Sequence, residues 1–226
     1  MLIRVIDFET GGLDAEDGVC EVGWCDVTDA GVGPPTSILT NPGRMMPDDV
    51  IAVHGITNEM VQDAPPYADG FMRLMEGGVT TFCAHNCEFE QRFFGGAEVP
   101  WICTYKVALR LFPDAQSHKN SELARMMGLR LDPALSGPLH RAAPDAYITA
   151  VMLHEIIVTH GLAVADMIQW SSEPKKLSRI PFGKHKGRKW EDIPSSYLAW
   201  LAENISGEDI RMAAQAELRL RETVEG

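Results

Sequence analysis

The chain has 226 residues, 45% hydrophobic and 23% charged, with a net charge of −12, which suits one good-sized globular domain plus a small appendage. No apolar run approaches the roughly 18–20 residues of a membrane-crossing helix, and the first residues, which meet acids within seven positions, do not resemble a secretory signal; we expect a cytoplasmic protein with no membrane partner. The five cysteines are odd in number and form no CxxC pair, which excludes a disulfide framework and leaves reduced packing residues as their reading.

Residues 2–7 read as the first strand, stopped by Gly11-Gly12. Strands at 19–27 and 37–41 follow, joined through Gly31-Val-Gly-Pro-Pro35, as in an antiparallel meander. Helices are expected at 48–53, 58–62 and 68–75, with Asp48 and Asn58 as caps. A strand at 79–84, a helix at 88–94 and a short strand at 101–104 come next, then helices at 106–111, 121–127 and 145–159. Three antiparallel strands followed by alternating helix and strand describe a layered α/β fold with a mixed sheet.

The helical pattern breaks at 169–178, around Ser171-Ser-Glu-Pro174. Beyond it, 180–183 is short and extended, and 194–204 and 208–221 read as helices. The expected division is therefore a main domain over 1–168, a linker over 169–178 and a small α-rich domain over 179–226. A unit of that size is near the lower limit for independence and should lean on the larger one. Trp190, Tyr197 and Trp200 are its expected core.

Charge divides the chain at the same place. Residues 1–172 hold 10 basic and 23 acidic side chains, whereas 173–226 hold 10 and nine. Seven of the 20 basic residues fall between Lys175 and Lys189, with no acid among them. Basic groups interleaved with Phe182 and Trp190 suit a groove that tracks a nucleic-acid strand, with Lys184 and Lys186 as contacts. A solvated, solubilising linker is the alternative.

The densest chemical signal is Val5-Ile-Asp7-Phe-Glu9-Thr10. On a strand, Asp7 and Glu9 share a face about 6.5–7 Å apart, with Ile3 and Val5 behind them. Two acids ending a buried apolar stripe need basic partners or a divalent cation. Arg4 points to the other face, so oxygen-ligated metal is the natural solution. Two more constellations strengthen it: Ala84-His-Asn86-Cys-Glu-Phe89-Glu90 leads from a strand into a helix, and His140 precedes Asp145 at the start of the long helix, with Pro144 suited to that start.

These three motifs, in this order, resemble those of the DEDDh exonucleases of the ribonuclease-H-like fold. The segment His54-Gly-Ile-Thr57-Asn-Glu-Met60 is similar to one found between the first two motifs in many members. Trp101-Ile-Cys-Thr104, Phe182-Gly-Lys-His-Lys-Gly187 and Tyr197-Leu-Ala-Trp200 narrow the likeness to one subgroup. The resemblance spans residues 1–155 and implies a mixed five-stranded sheet flanked by helices. One position departs from the pattern: the family has aspartate where this chain has Glu90. Its extra methylene reaches about an ångström further, which either is accommodated through a bridging water or alters rate or metal preference. Glu88 cannot substitute, since in a helix it lies about 200° from Glu90.

The resemblance implies a 3′–5′ exonuclease releasing nucleoside monophosphates from DNA ends with two Mg²⁺ or Mn²⁺ ions held by Asp7, Glu9, Glu90 and Asp145. His140 would take the proton of the attacking water. Leu13 and Phe89 would stack on or wedge against terminal bases, core packing being the alternative for each, and Thr10 and Asn86 would bond the terminal nucleotide. His54 and His85 read as structural. The expected partner is a DNA 3′ end with a single strand or overhang; a role in DNA repair and a homodimer are further implications. An RNA exonuclease, a polymerase proofreading subunit, and a binding module impaired by Glu90 remain open alternatives.

Overall fold

The computed structural model describes residues 1–95 and 98–225, with the side chains of 224 and 225 undescribed. Six strands form one sheet: β1 (Leu2–Thr10), β2 (Val19–Thr28), β3 (Gly31–Val32), β4 (Thr36–Leu39), β5 (Thr81–Ala84) and β6 (Trp101–Cys103). Their order is β3-β2-β1-β5-β6, with β4 also pairing with β2. β1 runs antiparallel to β2 and parallel to β5. The sixth strand is the two-residue β3, inside the segment read from sequence as a turn.

Alternation along β1 sorts the two faces. Ile3 and Val5 join Cys25 and Val27 in a core covered by α7 (Ala142–Thr159), with Val107 of α5 (Thr104–Leu111), Leu123 of α6 (Asn120–Met126) and Met167 of α8 (Val164–Ser172). Ile6 and Phe8 face the opposite core, with Leu74 of α3 (Tyr67–Leu74) and the aromatic end of α4 (Glu88–Phe94). Arg4 lies on this second side, where a bidentate pair with Asp26 at 2.7 and 2.8 Å and three carbonyls satisfy it. No helix among the described residues is long and apolar enough to cross a membrane.

Several local expectations change. In α1 (Asp48–His54) and α2 (Asn58–Val61) the caps are Pro47 and Thr57 rather than Asp48 and Asn58. Thr57 Oγ1 accepts the Met60 N–H, while the Asn58 amide brackets the Met46 backbone. α8 has no counterpart among the sequence-based elements and runs into the span read as linker. Ser171 explains how: its hydroxyl bonds back to the Met167 carbonyl and accepts the Cys103 N–H, seating this last turn against β6.

The C-terminal segment has its own apolar cluster. Ile180, Trp190, Ile193, Leu198, Leu201, Ile210 and Ala214 pack together between α9 (Ser195–Asn204) and α10 (Glu208–Glu225). Trp190 is buried there and donates its indole N–H to the Leu177 carbonyl at 2.7 Å. Tyr197 is half-buried against the cluster, but Trp200 is 48% exposed and stacks on Tyr197. Leu198 and Leu201 take the inward face of α9, and Trp200, about 200° from Leu198, falls outside it.

Ion pairs stitch the segment to the larger part. Lys175 reaches Glu88 of α4 at 2.6 Å and Asp209 of α10 at 3.5 Å, and Arg110 pairs with Glu173 at 2.7 Å. Glu88, also paired with Lys106, faces away from Glu90 as its helical position requires.

Candidate active site

β1 carries Asp7 and Glu9 to its carboxyl end, and α7 brings Asp145 over them in its first turn. One carboxylate oxygen from each of the three lies within 4.8 Å of the others. Burial, then the neighbouring Glu9, Glu90, Asp145 and Glu21, raise Asp7 well above the usual carboxylate range. Burial, then Asp145, pushes Glu9 up to about 8. Asp145 is raised by burial, against which the backbone N–H of His140 acts at 3.1 Å from Oδ2.

Glu90 sits beside this trio but outside it. It is buried on α4, raised to about 8 chiefly by burial, and its charge in turn raises Asp7. Its Oε2 is buried with no hydrogen-bond partner among the described residues. A buried carboxylate oxygen left without a donor, next to three crowded acids, fits a divalent cation better than any arrangement of protein groups.

The α7 start depends on two residues of β2 that sequence reasoning missed. Glu21, 1% exposed, accepts both Arg141 guanidinium bonds at 2.9 and 2.8 Å, the Ser37 hydroxyl at 2.7 Å and the Ala142 N–H at 3.0 Å. Burial works to raise Glu21, but Arg141, Ser37 and Ala142 together hold it below the ordinary glutamate value. This anchor begins the helix at Ala142, three residues before the expected start at Asp145. Gly23 permits the approach: a Cβ there would lie 2.4 Å from the Ala142 carbonyl carbon. A lone glutamate and a glycine inside an apolar strand were the available signals. Asn120 is a third omission; its amide donates to the Asp145 carbonyl at 3.2 Å and the Thr149 hydroxyl at 2.9 Å.

Because Arg141 is committed to Glu21, no basic side chain forms an ion pair with Asp7, Glu9 or Asp145 among the described residues. His140 is exposed on the loop before α7 with a left-handed φ of +58°. Such a conformation is uncommon for a non-glycine residue and is held here by the bond to Asp145.

The remaining expected site residues spread around this centre. Leu13 is 74% exposed at the tip after β1, where Arg92 of α4 donates to its carbonyl. Thr10 is buried and gives its hydroxyl to the Gly12 carbonyl at 2.6 Å, shaping that turn. Phe89 is half-buried, packs on Phe93 and lies outside the core clusters. Asn86 adopts φ +74° between β5 and α4. Lys184 and Lys186 are exposed on the C-terminal segment, Lys184 with its ammonium 4.9 Å from the Tyr197 ring centroid. His54 accepts the Ile56 N–H, and His85 is bonded to Thr104 and His118, both in supporting positions. All five cysteines are free and buried.

Comparison with known proteins adds to this geometry. The family model RNase_T, described as exonuclease, matches residues 5–153, and a short model, QSregVF_b, matches 176–206. The chain is 32% identical to exodeoxyribonuclease 10 of Escherichia coli K12, covering 99% of each. It is 30% identical to the DNA polymerase III subunit epsilon of Treponema pallidum, covering 76% of this chain and 84% of that one. A solved structure of exonuclease X in complex with 5′ overhanging duplex DNA superimposes with a TM-score of 0.69 at 34% identity, over 75% of this chain and 99% of that one.

Proposed function

We infer the reaction from one premise: the chain belongs to the exonuclease family, as a 3′–5′ exonuclease of the DEDDh type. Its substrate, on this reading, is a DNA 3′ end carrying a single strand or overhang, and its products are nucleoside monophosphates. The deoxyribonuclease relative and the overhang-bound structural neighbour favour DNA over RNA. A role in DNA repair and a homodimeric state belong to the same proposal.

The observation that carries the chemistry is the Asp7, Glu9 and Asp145 trio, crowded within 4.8 Å and lacking a basic partner among the described residues. Asp7, Glu9 and Asp145, with Glu90 beside them, would hold divalent cations, Mg²⁺ or Mn²⁺. When bound, such cations lower the pKa of a water and neutralise charge developing on the phosphate and leaving oxygen. An imidazole nitrogen of His140 takes the water's proton, and the backbone bond to Asp145 ties this base to the acid cluster. The loop position of His140 lets it move in with substrate.

Leu13, projecting into solvent, wedges against the terminal base pair or stacks on the last base, and Phe89 supports the same end. The Asn86 amide bonds the terminal nucleotide, while Thr10 acts by fixing the Gly11–Gly12 turn. Lys184 and Lys186 meet backbone phosphates further along the strand.

Matched DNA and RNA strands labelled at the 5′ end test the reading. Stepwise shortening from the 3′ end with Mg²⁺ or Mn²⁺, abolished by EDTA and faster on DNA, is the expected result. Faster RNA digestion would correct the sugar preference. No release with either metal would turn the reading toward a binding module impaired at Glu90.

A further inference from the structure

A cleft of about 600 Å³ opens between the exonuclease part and the C-terminal segment. His85, Asn86, Tyr105 and Lys119 form one wall, and Arg179 and Lys186 belong to the other. No aspartate or glutamate lines it among the described residues, although acids outnumber bases 32 to 20 in the chain. That local reversal of sign calls for a polyanionic occupant.

Lys175 also reaches the cleft, but Glu88 and Asp209 neutralise it. Lys119, Arg179 and Lys186 are exposed and form no ion pair among the described residues. Arg179 is held in place by a 3.0 Å bond to the Gly187 carbonyl. The same lining holds an aromatic group, in which Tyr105 meets His85 edge-on at 5.7 Å and His118 at 6.1 Å. Cations flanking aromatic rings are the arrangement that binds unpaired strands, with phosphates on the charges and bases on the rings.

Position relative to the acids gives the cleft its direction. Asn86 belongs to its wall and lies four residues before Glu90, on the turn that carries β5 into α4. We propose that this cleft is the path of the single-stranded DNA segment just upstream of the 3′-terminal nucleotide, gripped between the exonuclease part and the C-terminal segment. A cavity of this size is that of a site for a small molecule, enough for a short unpaired stretch and too small for a duplex. The inference rests on the exonuclease reading and extends it: the C-terminal segment completes the substrate channel, with Arg179 and Lys186 supplying one charged wall.

The test compares kcat/KM for single strands of three and fifteen nucleotides, with the full chain and over a range of NaCl concentrations. The wild-type protein should favour the longer strand, and this preference should fall steeply with salt. Lys119→Ala/Arg179→Ala should cut the long-to-short ratio by about tenfold and make its salt slope shallower by about 1.4, two single-strand contacts' worth. Arg179→Glu should cut it further. Both lengths are read on one preparation, so partial inactivation cancels in the ratio. Variants with the wild-type ratio and slope would overturn the proposal, as would a wild-type ratio that is near one and insensitive to salt. If the wild-type protein released no mononucleotide from either length with Mg²⁺ or Mn²⁺, the exonuclease reading itself would fail and take the cleft with it.

Discussion

Residues 1–172 gather four candidate acids inside, Asp7, Glu9, Glu90 and Asp145, whereas residues 173–225 carry the bases Arg179, Lys184 and Lys186 outside. On the proposed reading the two parts would meet one polyanion by opposite means. Buried acids of like charge raise each other's pKa and hold a strong, local demand for cations. Exposed cations each contribute weakly, are screened by salt, and act only as a set. Loss of one buried acid should therefore be nearly total, and loss of one exposed base partial.

Asp7→Asn breaks the comparison at its strongest point. We expect activity to drop by about a thousandfold or more, while the metal-free melting temperature holds or rises because a crowded acid has gone. Marked unfolding on this change would show that Asp7 is structural. Trp190→Ala tests whether the two parts are separate domains. Removing this buried indole should cost about 3–5 kcal/mol, enough to open the small core while the large part melts at its usual temperature. A single transition shifted as a whole, seen by calorimetry, would mean one cooperative unit.

Glu21→Gln separates the anchor from the acids it supports. Breaking its pair with Arg141 should cost about 2–4 kcal/mol, the lower part of the range for buried pairs because Arg141 keeps contact with water. Turnover should fall through displacement of Asp145 and His140, with KM little changed; an unchanged kcat would remove the positioning role.

The smallest effect concerns His85, at the seam of the two parts. Burial, opposed by the His118 carbonyl bond, depresses its pKa to about 4, with the nearby His118 ring also lowering it. The unfolded chain therefore binds the proton first as pH falls from 6.5 toward 4, and stability is lost over that window. The loss attributable to His85 should be about 1 kcal/mol by pH 5.5, and His85→Gln should flatten the urea-unfolding midpoint there. An equally steep variant would assign the slope to other groups.

Much of the site was legible because its motifs are short and local. Strand alternation put Asp7 and Glu9 together and turned Arg4 away, and helical periodicity turned Glu88 from Glu90. The C-terminal basic run was equally plain. Glu21 was not legible as an anchor, because its partners, Arg141 and Ala142, lie 120 and 121 positions away. α8 escaped notice since its last turn is fixed by a serine bonded to β6, and Trp200 was misplaced because aromatic character alone does not say which helix face is buried.

By itself the amino-acid sequence determined the strand that bears the first two acids, the order of the three motifs, the family and the division of charge, all of which arise from backbone period and side-chain type within a few residues. Tertiary structure alone decided where α7 begins, that Glu90 stands beside the acid trio rather than within it, and that a basic cleft separates the two parts. Those outcomes depend on steric fit between distant segments, such as Gly23 admitting Ala142, and no local pattern encodes the distance at which two such surfaces come to rest.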